Sequence, residues 1–354
     1  MLDLEWDRIC VMVVDDNAFV RRLLVSTLGN FGLRKIIAEE SSASAIERLK
    51  LSKTDPVDAG LGEVDLIMSD YLMPGVDGNL FLRWVRTGDG VPDRFVPFIM
   101  VSGAADKHVV AEARDAGVTE FLAKPFSAAS VADRILAVIN NPRPFVLARG
   151  YFGPDRRRTR TSVEEERRKT TPGDIQTVKP DSKVRTLRED VRAIHFKPDN
   201  RLRLKLGPGA MRKPVDFDPQ VIRAAEARIQ ALVGDYADWV ESYLDSMADS
   251  LAALRPSAKP LKSNCRHVEN INHIAHELRG QGGTFDYPLV TAFGKSLYEA
   301  TLHADMPITA ASRKLMQAHI DAIRTVFKNR IQGKGGEVGA QLLLEIEQAV
   351  KKYA

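Results

Sequence analysis

Residues 1–142 alternate short apolar runs with amphipathic stretches, and this alternation constrains the fold more than any other feature of the sequence. Helical periodicity predicts helices at 17–30, 41–51, 79–87, 106–116 and 127–140. Strands that are apolar throughout are buried on both faces, so the pattern predicts a parallel sheet covered by helices, a flavodoxin-like (βα)5 α/β domain. The five apolar runs are ICVMVV (9–14), KIIA (35–38), VDLIMS (64–69), VPFIMVS (96–102) and TEFLA (119–123).

The alternation stops after residue 142, and two further segments follow. Residues 143–216 contain charge runs and Pro/Gly punctuation, which predict a linker with a possible short hairpin at 192–207. Residues 217–354 have helical periodicity throughout, which predicts an all-α helical bundle. Its predicted helices are 218–233, 235–254, 264–281, 287–303, 308–331 and 337–352.

The net charge of +4 is distributed unevenly along the chain. Residues 1–145 hold 16 basic and 21 acidic side chains (net −5), 146–216 hold 19 and 10 (net +9), and 217–354 hold 16 of each. The run RRRTR (156–160) could bind a phosphate backbone or an anionic membrane. Because Glu164–Glu166 interleave with the basic residues, a solvated basic linker is the preferred interpretation, and we expect no nucleic-acid partner.

The cysteine count and the hydropathy pattern bear on the cellular compartment. Cys10 and Cys265 are far apart in the sequence, which allows neither a disulfide framework nor a CxxC zinc site. No apolar run approaches the ~18 residues of a membrane span, and acidic residues precede the first apolar run. We therefore expect a cytoplasmic protein without a membrane span.

Polar side chains stand at the carboxyl ends of four predicted strands, where open α/β sheets bind their ligands. Three carboxylates at one rim repel one another unless a cation is present, and oxygen ligands suit Mg²⁺. A carboxylate held there can attack a phosphoryl donor, while the hydroxyl and the ammonium bind the phosphoryl oxygens. These residues are Asp15, Asp16, Asp70, Ser102 and Lys124.

Residues 9–140 resemble the receiver domain of two-component response regulators, through VVDDN (13–17), SDYLMPGVDG (69–78), VSG (101–103) and FLAKPF (121–126). The resemblance implies that Asp70 is the phosphoacceptor and that Mg²⁺ binds Asp16, Asp70 and the Leu72 backbone carbonyl, assisted by Asp15. It further implies a switch hydroxyl at Ser102, phosphoryl sensing by Lys124, a cis Lys124–Pro125 bond and an aromatic switch at Phe121. Plain core packing is an equally good account of Phe121. The stretch 51–63 is longer than is usual for the family.

The stretch INHIAHELRGQGGTF (271–285) holds two histidines and three glycines. On a helix, Ile271, Ile274, Ala275 and Leu278 form one apolar stripe, which places His276 on the opposite, solvent-exposed face. Glycines there favour close approach of a partner surface, and a simple helix end is the alternative. A metal site is disfavoured because further ligands are missing.

Residues 264–300 resemble the histidine phosphotransfer (HPt) domain, through HELRGQGGTFD (276–286). The resemblance implies that His276 accepts a phosphoryl group, with support and docking from Arg279, Gly280 and Gly283. Two residues depart from the family pattern. Arg279 replaces a lysine, and Asp286 stands where glycine is typical, which puts the turn after the helix in question.

Together these features predict a two-component signalling protein, not a metabolic enzyme. We expect Mg²⁺-dependent phosphorylation of Asp70 with phosphoryl relay through His276, and as partners a sensor histidine kinase, another receiver or an HPt protein. The alternative is a phospho-regulated binding module whose C-terminal region docks partners without phosphorylation of His276.

Overall fold

A computed structural model describes residues 4–54, 63–103, 107–156, 175–178, 186–187 and 193–353. The chain forms two compact units. The first contains Met1–Ala123 and Ser127–Ile229, and the second contains Lys124–Phe126 and Gln230–Ala354. Most of the long loop at 51–63, most of RRRTR and all of Glu164–Glu166 lie outside the described residues, so the interpretations placed on them stay predictions.

The first unit is built on a parallel five-stranded sheet in the order β2-β1-β3-β4-β5, which confirms the flavodoxin-like prediction. Strands β1, β3 and β4 are buried at every position, as expected for the centre of a sheet covered on both faces. The strands are β1 Cys10–Val14, β2 Lys35–Glu39, β3 Leu66–Asp70, β4 Phe98–Ser102 and β5 Glu120–Ala123.

Five helices alternate with these strands, and the cap residues explain where several of them begin. The side chain of Asn17 accepts hydrogen bonds from Phe19 N and Val20 N at the start of the first helix. Asp77 caps the third helix, and Ser127 forms a capping box with Ser130 at the fifth. The helices are α1 Ala18–Asn30, α2 Ser42–Thr54, α3 Gly78–Thr87, α4 Lys107–Ala116 and α5 Ala128–Asn140.

The segment predicted as a linker instead contributes a second, four-stranded sheet in the order β7-β6-β9-β8. The prediction misses it because each strand is only four residues long and charge runs separate them. Phe95 packs edge-on against Phe145, Phe152 and Phe196, with ring centroids 5.2–5.5 Å apart, so this sheet has an aromatic core. The strands are β6 Phe145–Ala148, β7 Tyr151–Pro154, β8 Ile175–Val178 and β9 Ala193–Phe196.

The short hairpin predicted at 192–207 is wrong, because β9 is followed by two short helices, α6 Arg201–Lys205 and α7 Pro208–Arg212. Strand β9 pairs with β6 and β8 and leaves no partner strand for a local hairpin. The following residues pack onto the first unit. The ring of Phe217 stacks on Trp6 and on Phe31, with centroids 4.3 and 4.6 Å away.

From residue 219 onwards the described chain is mainly helical, and the six predicted helices are present with ends shifted by up to three residues. The first of them packs with the first unit, since the Glu226 carboxylate accepts a hydrogen bond of 2.7 Å from Ala128 N. The predicted domain boundary at residue 217 therefore lies before Gln230, where the helical part of the second unit begins. The helices are α8 Pro219–Ala231, α9 Val233–Ala253, α10 Lys262–Gln281, α11 Pro288–Ala300, α12 Ala310–Lys328 and α13 Gly336–Tyr353.

The second unit has an aromatic core around the fully buried Tyr236. Its ring stacks on Phe285 with centroids 4.2 Å apart, and Tyr287 and Phe327 pack beside it. Among the described helices of the whole chain, none combines the length and the apolar character that crossing a bilayer requires.

Candidate functional site

An acidic cluster lies at the carboxyl edge of the parallel sheet. Asp15 and Asp16 directly follow β1, and Asp70 is the last residue of β3, the strand beside β1. One carboxylate oxygen from each residue lies within 4.8 Å of the other two. Asp15 and Asp70 are fully buried, and Asp16 is half-buried. The structure therefore brings together the three carboxylates that the sequence predicts at one rim.

These three carboxylates fit a shared divalent cation. An octahedral Mg²⁺ holds its oxygen ligands at about 2.1 Å, so neighbouring and opposite ligand oxygens lie about 3 and about 4.2 Å apart. The observed limit of 4.8 Å is slightly wider than that range, so small side-chain movements suffice to close on the ion. Three buried or half-buried carboxylates also repel one another, which favours a cation between them.

The loop that carries Asp15 and Asp16 is held by a hydrogen bond between its own residues and by another to the neighbouring strand β2. Asn17 N donates to Asp15 Oδ1 at 3.0 Å, while the Asn17 side chain caps α1. Asp15 N donates to Glu39 O of β2 at 3.2 Å. The third and fifth residues of VVDDN thus have separate roles: Asp15 belongs to the acidic cluster, and Asn17 caps α1 while its backbone N–H orients the Asp15 carboxylate.

Ser102 and Lys124 occupy the predicted strand ends. Ser102 is the last residue of β4 and is fully buried, and Lys124 directly follows β5 and is 5% exposed. The Lys124–Pro125 bond is cis, as the receiver resemblance implies. Phe121 is half-buried and packs against the core of the sheet, and Leu72 is half-buried two residues beyond Asp70. The roles of these four residues in switching and metal binding stay predictions.

Gly78 supports the backbone of Asp70 through a contact that the sequence pattern did not predict. A Cβ added at this position would collide with the carbonyl oxygen of Asp70 and lie 2.9 Å from its carbonyl carbon. Gly78 N also donates to Tyr71 O at 2.9 Å. The start of α3 thus packs directly on the backbone of Asp70, and the final glycine of SDYLMPGVDG was the available signal.

Two further polar side chains beside the cluster were also missed. The guanidinium of Arg21 in α1 donates from Nη1 to the main-chain carbonyl of Asp15 at 2.6 Å. The hydroxyl of Tyr71, the residue after Asp70, donates to Glu112 Oε2 on α4 at 2.7 Å. Arg21 is only six residues from Asp15, so sequence spacing could have predicted this contact. Tyr71 and Glu112 are 41 residues apart, so sequence spacing could not have predicted theirs.

The prediction that His276 is presented to solvent is wrong, because the side chain is 2% exposed. Helix α11 packs against α10 at this level. A Cβ on Gly294 would lie 2.6 Å from Arg279 N and 2.9 Å from Ala275 O, so the two backbones approach closely. One turn further along α11, the ring of Tyr298 lies 5.4 Å from the His276 ring. The helical wheel identifies the apolar stripe but not a second packed face.

The residues predicted to support His276 have different environments. Arg279 is half-buried, with its guanidinium 5.5 Å from the centroid of the Tyr298 ring. Gly280 is buried within α10 and Gly283 is exposed, so the prediction that both glycines open one exposed face is wrong for Gly280. Asp286 adopts a left-handed conformation (φ 63°, ψ 30°), which explains why glycine suits this position and how aspartate replaces it.

Burial of His276 predicts a pH dependence of stability. Desolvation lowers the pKa of its imidazole to about 3, against about 6.5 for an exposed histidine. Between these values the unfolded chain binds a proton that the folded imidazole does not, so stability increases as the pH rises through this window. On going from pH 7 to pH 5, we expect wild type to lose about 2 kcal/mol more than His276→Gln. Urea unfolding at both pH values checks this, and equal losses would contradict the buried neutral imidazole.

A doubly covered parallel sheet with a clustered acidic rim suits the binding of a divalent cation at the carboxyl ends of the strands. Residues 11–136 match the response regulator receiver domain. Over 130 residues the chain is 30% identical to the chemotaxis protein CheY of Bacillus subtilis, spanning 93% of that protein and 37% of this chain. Through this region the chain belongs to the receiver-domain family of two-component signalling, which supports phosphoryl acceptance on an aspartate.

Other relatives match a similar share of the chain. The chemotaxis protein CheY of Pseudomonas aeruginosa is 27% identical over 125 residues, which are 91% of that protein and 35% of this chain. Among solved structures, the receiver domain of a histidine kinase from Arabidopsis thaliana in complex with Mg²⁺ is 26% identical. The match covers 37% of this chain and 88% of that receiver-domain chain, with a TM-score of 0.30.

Proposed function

We propose that the chain is a two-component signalling protein that accepts a phosphoryl group on Asp70 in a Mg²⁺-dependent reaction. The observation that carries this proposal is the cluster of Asp15, Asp16 and Asp70 at the end of β1 and β3, within a region of the receiver family. Mg²⁺ bound by these carboxylates and the Leu72 carbonyl would neutralise charge on the incoming phosphoryl group.

The chemistry assigned to the chain itself is a displacement at phosphorus. A carboxylate oxygen of Asp70 attacks the phosphorus atom of the donor, and the bond from phosphorus to the leaving group breaks as the acyl phosphate forms. Lys124 and Ser102 bind phosphoryl oxygens of the product, and Phe121 responds to the position of Ser102. The donor is a sensor histidine kinase or another phosphohistidine protein.

We further propose that His276 is a second phosphoryl carrier. Burial keeps its imidazole neutral at pH 7, and a neutral ring nitrogen is nucleophilic. That nitrogen would attack the phosphorus atom of an aspartyl phosphate, on Asp70 or on another receiver, and regenerate the carboxylate. Arg279, three residues further along α10, would pair with the phosphoryl group.

The 2% exposure of His276 favours a second candidate function. A phosphoryl donor reaches this imidazole only after the side chains that cover it move. In the second candidate the helical residues 230–354 dock partners in response to phosphorylation of Asp70, and His276 is a packed core residue that never carries a phosphoryl group.

Radiolabelled phosphoryl donors distinguish these functions. Wild type, Asp70→Asn and His276→Gln are incubated with Mg²⁺ and labelled acetyl phosphate, phosphoramidate or a phosphorylated HPt partner. We expect a base-labile label that Asp70→Asn lacks, because acyl phosphates are cleaved by alkali. We also expect a base-stable, acid-labile label that His276→Gln lacks. The matched control is His273→Gln, a half-exposed histidine one turn earlier on α10, which should retain both labels.

Different results would overturn phosphorylation at Asp70 and the relay through His276. Retention of the base-labile label by Asp70→Asn would overturn phosphorylation at Asp70. A base-labile label without any base-stable label, when HPt and receiver partners are both supplied, would overturn the relay and leave the docking function.

A further inference from the structure

The guanidinium of Arg21 points back from the first turn of α1 towards the loop that carries two members of the acidic cluster. Its Nη1 donates to Asp15 O at 2.6 Å and lies 3.4 Å from Asp16 O. The backbone N of Arg21 donates to Asn17 O at 2.9 Å, which fixes the helical turn from which the side chain extends. Both carbonyls belong to residues whose carboxylates lie within 4.8 Å of Asp70.

These contacts restrain the main chain of the loop. A hydrogen bond from a charged donor to a carbonyl is stronger than one between neutral groups, and here the single nitrogen Nη1 contacts both neighbouring carbonyls. The loop needs such a restraint, because the carboxylates of Asp15, Asp16 and Asp70 repel one another and the half-buried Asp16 is able to turn towards water.

We propose that Arg21 is a positioning residue for the cation site, and this role rests on the Mg²⁺-dependent function proposed above. Arg21 holds the carbonyls of Asp15 and Asp16 so that both carboxylates stay directed towards Asp70 before the cation arrives. Groups that orient metal ligands typically change metal affinity 10–100-fold when they are removed. Arg21 acts through the backbone and not on the ligand atoms, so we expect an effect at the lower end of this range.

The positive charge of Arg21 has an opposing effect, because its removal makes the site more negative and favours Mg²⁺. The positioning effect and the charge effect therefore predict opposite changes in cation affinity when Arg21 is replaced. If positioning dominates, Arg21→Met weakens cation binding. Arg21→Lys also weakens it, because the lysine Nζ lies one bond closer to the backbone than Nη1 and reaches the two carbonyls less well. If charge alone matters, Arg21→Met binds the cation more tightly and Arg21→Lys is unchanged.

Cation titrations of the full, unphosphorylated chain test the role directly. Mg²⁺ is titrated by calorimetry and Mn²⁺ by electron paramagnetic resonance, for wild type, Arg21→Met, Arg21→Lys and the control Arg22→Met. Arg22 follows Arg21 on the same turn of α1 and is exposed, whereas Arg21 is half-buried. We expect the Kd for Mg²⁺ to rise about tenfold in Arg21→Met, less in Arg21→Lys, and not in Arg22→Met.

The Mg²⁺ dependence of the phosphorylation rate is a second measurement. A general loss of structure would lower the rate at saturating Mg²⁺, whereas loss of positioning would not. In Arg21→Met the Mg²⁺ concentration at half-maximal rate should rise about tenfold, while the rate at saturating Mg²⁺ stays within about twofold of wild type. Unchanged or tighter Mg²⁺ binding by Arg21→Met, or an equal loss in Arg22→Met, would overturn the positioning role alone. A wild-type chain that binds neither cation would overturn the proposed function together with it.

Discussion

Gly78→Ala is expected to destabilise the first unit by about 3 kcal/mol and to lower the rate of Asp70 phosphorylation at least tenfold. The added Cβ would collide with the Asp70 carbonyl oxygen and lie 3.1 Å from the Cα of Tyr71. Both obstacles are backbone atoms, one in the last residue of a fully buried strand and one in the residue that follows it, so they cannot rotate away as a side chain would. Either the start of α3 moves off the sheet, or the peptide after Asp70 turns and carries the carboxylate with it.

Urea unfolding and acyl phosphate formation from a small-molecule donor measure the two effects of Gly78→Ala separately. Gly29→Ala is the matched control, since its Cβ would meet no atom within 4 Å and the position lies inside α1. That change should stabilise the protein by about 0.5–1 kcal/mol, because alanine is the better helix former. A Gly78→Ala chain with wild-type stability and phosphorylation rate would contradict the close packing of α3 on Asp70.

Arg86→Met is expected to cost about 3–5 kcal/mol of stability, although it preserves most of the side-chain volume. Arg86 is 1% exposed, and burial lowers the pKa of its guanidinium to about 10, so it is still charged at pH 7. The guanidinium donates to the carbonyls of Gly117, Arg94 and Val96 at 2.8–2.9 Å. Methionine would leave three buried carbonyls without this donor.

The same side chain connects the parallel sheet with the added four-stranded sheet. Its guanidinium lies 5.2 Å from the centroid of the Phe145 ring in β6, and Gly117 packs against Gly153 in β7. Unfolding of Arg86→Met in urea is compared with that of Arg83→Met, an exposed arginine one turn earlier on α3. The control should change stability by less than about 0.5 kcal/mol. A similarly small change in Arg86→Met would mean that water replaces the guanidinium at these carbonyls.

Several features of the receiver region follow from the sequence without reference to the fold. Strands that are apolar at every position had to lie in the centre of a covered sheet, and polar residues at their ends had to meet at one edge. This reasoning placed Asp15, Asp16 and Asp70 together, and the acidic cluster confirms it. It succeeded because the periodicity of buried strands and the geometry of parallel sheets are both local, repeating properties.

The same reasoning failed where packing depends on contacts distant in sequence. Four-residue strands in a charged segment carry too little periodicity to predict the sheet around Phe95, whose partners are 50, 57 and 101 residues away. The helical wheel for α10 gave its apolar stripe correctly but placed His276 in solvent. That error arose because α10 is packed on more than one face.

The amino-acid pattern alone was enough to predict the parallel sheet, the alternation of strands and helices along the chain, and the acidic rim, because these follow from hydrophobic periodicity and chain direction. The tertiary structure decided which polar groups are buried and what restrains them. Gly78 beneath Asp70, Arg21 on the carbonyls of Asp15 and Asp16, and Tyr298 beside His276 are contacts between elements. The burial and hydrogen bonding of a side chain depend on every helix and strand that packs around it. A local sequence pattern describes only the one element that carries the side chain.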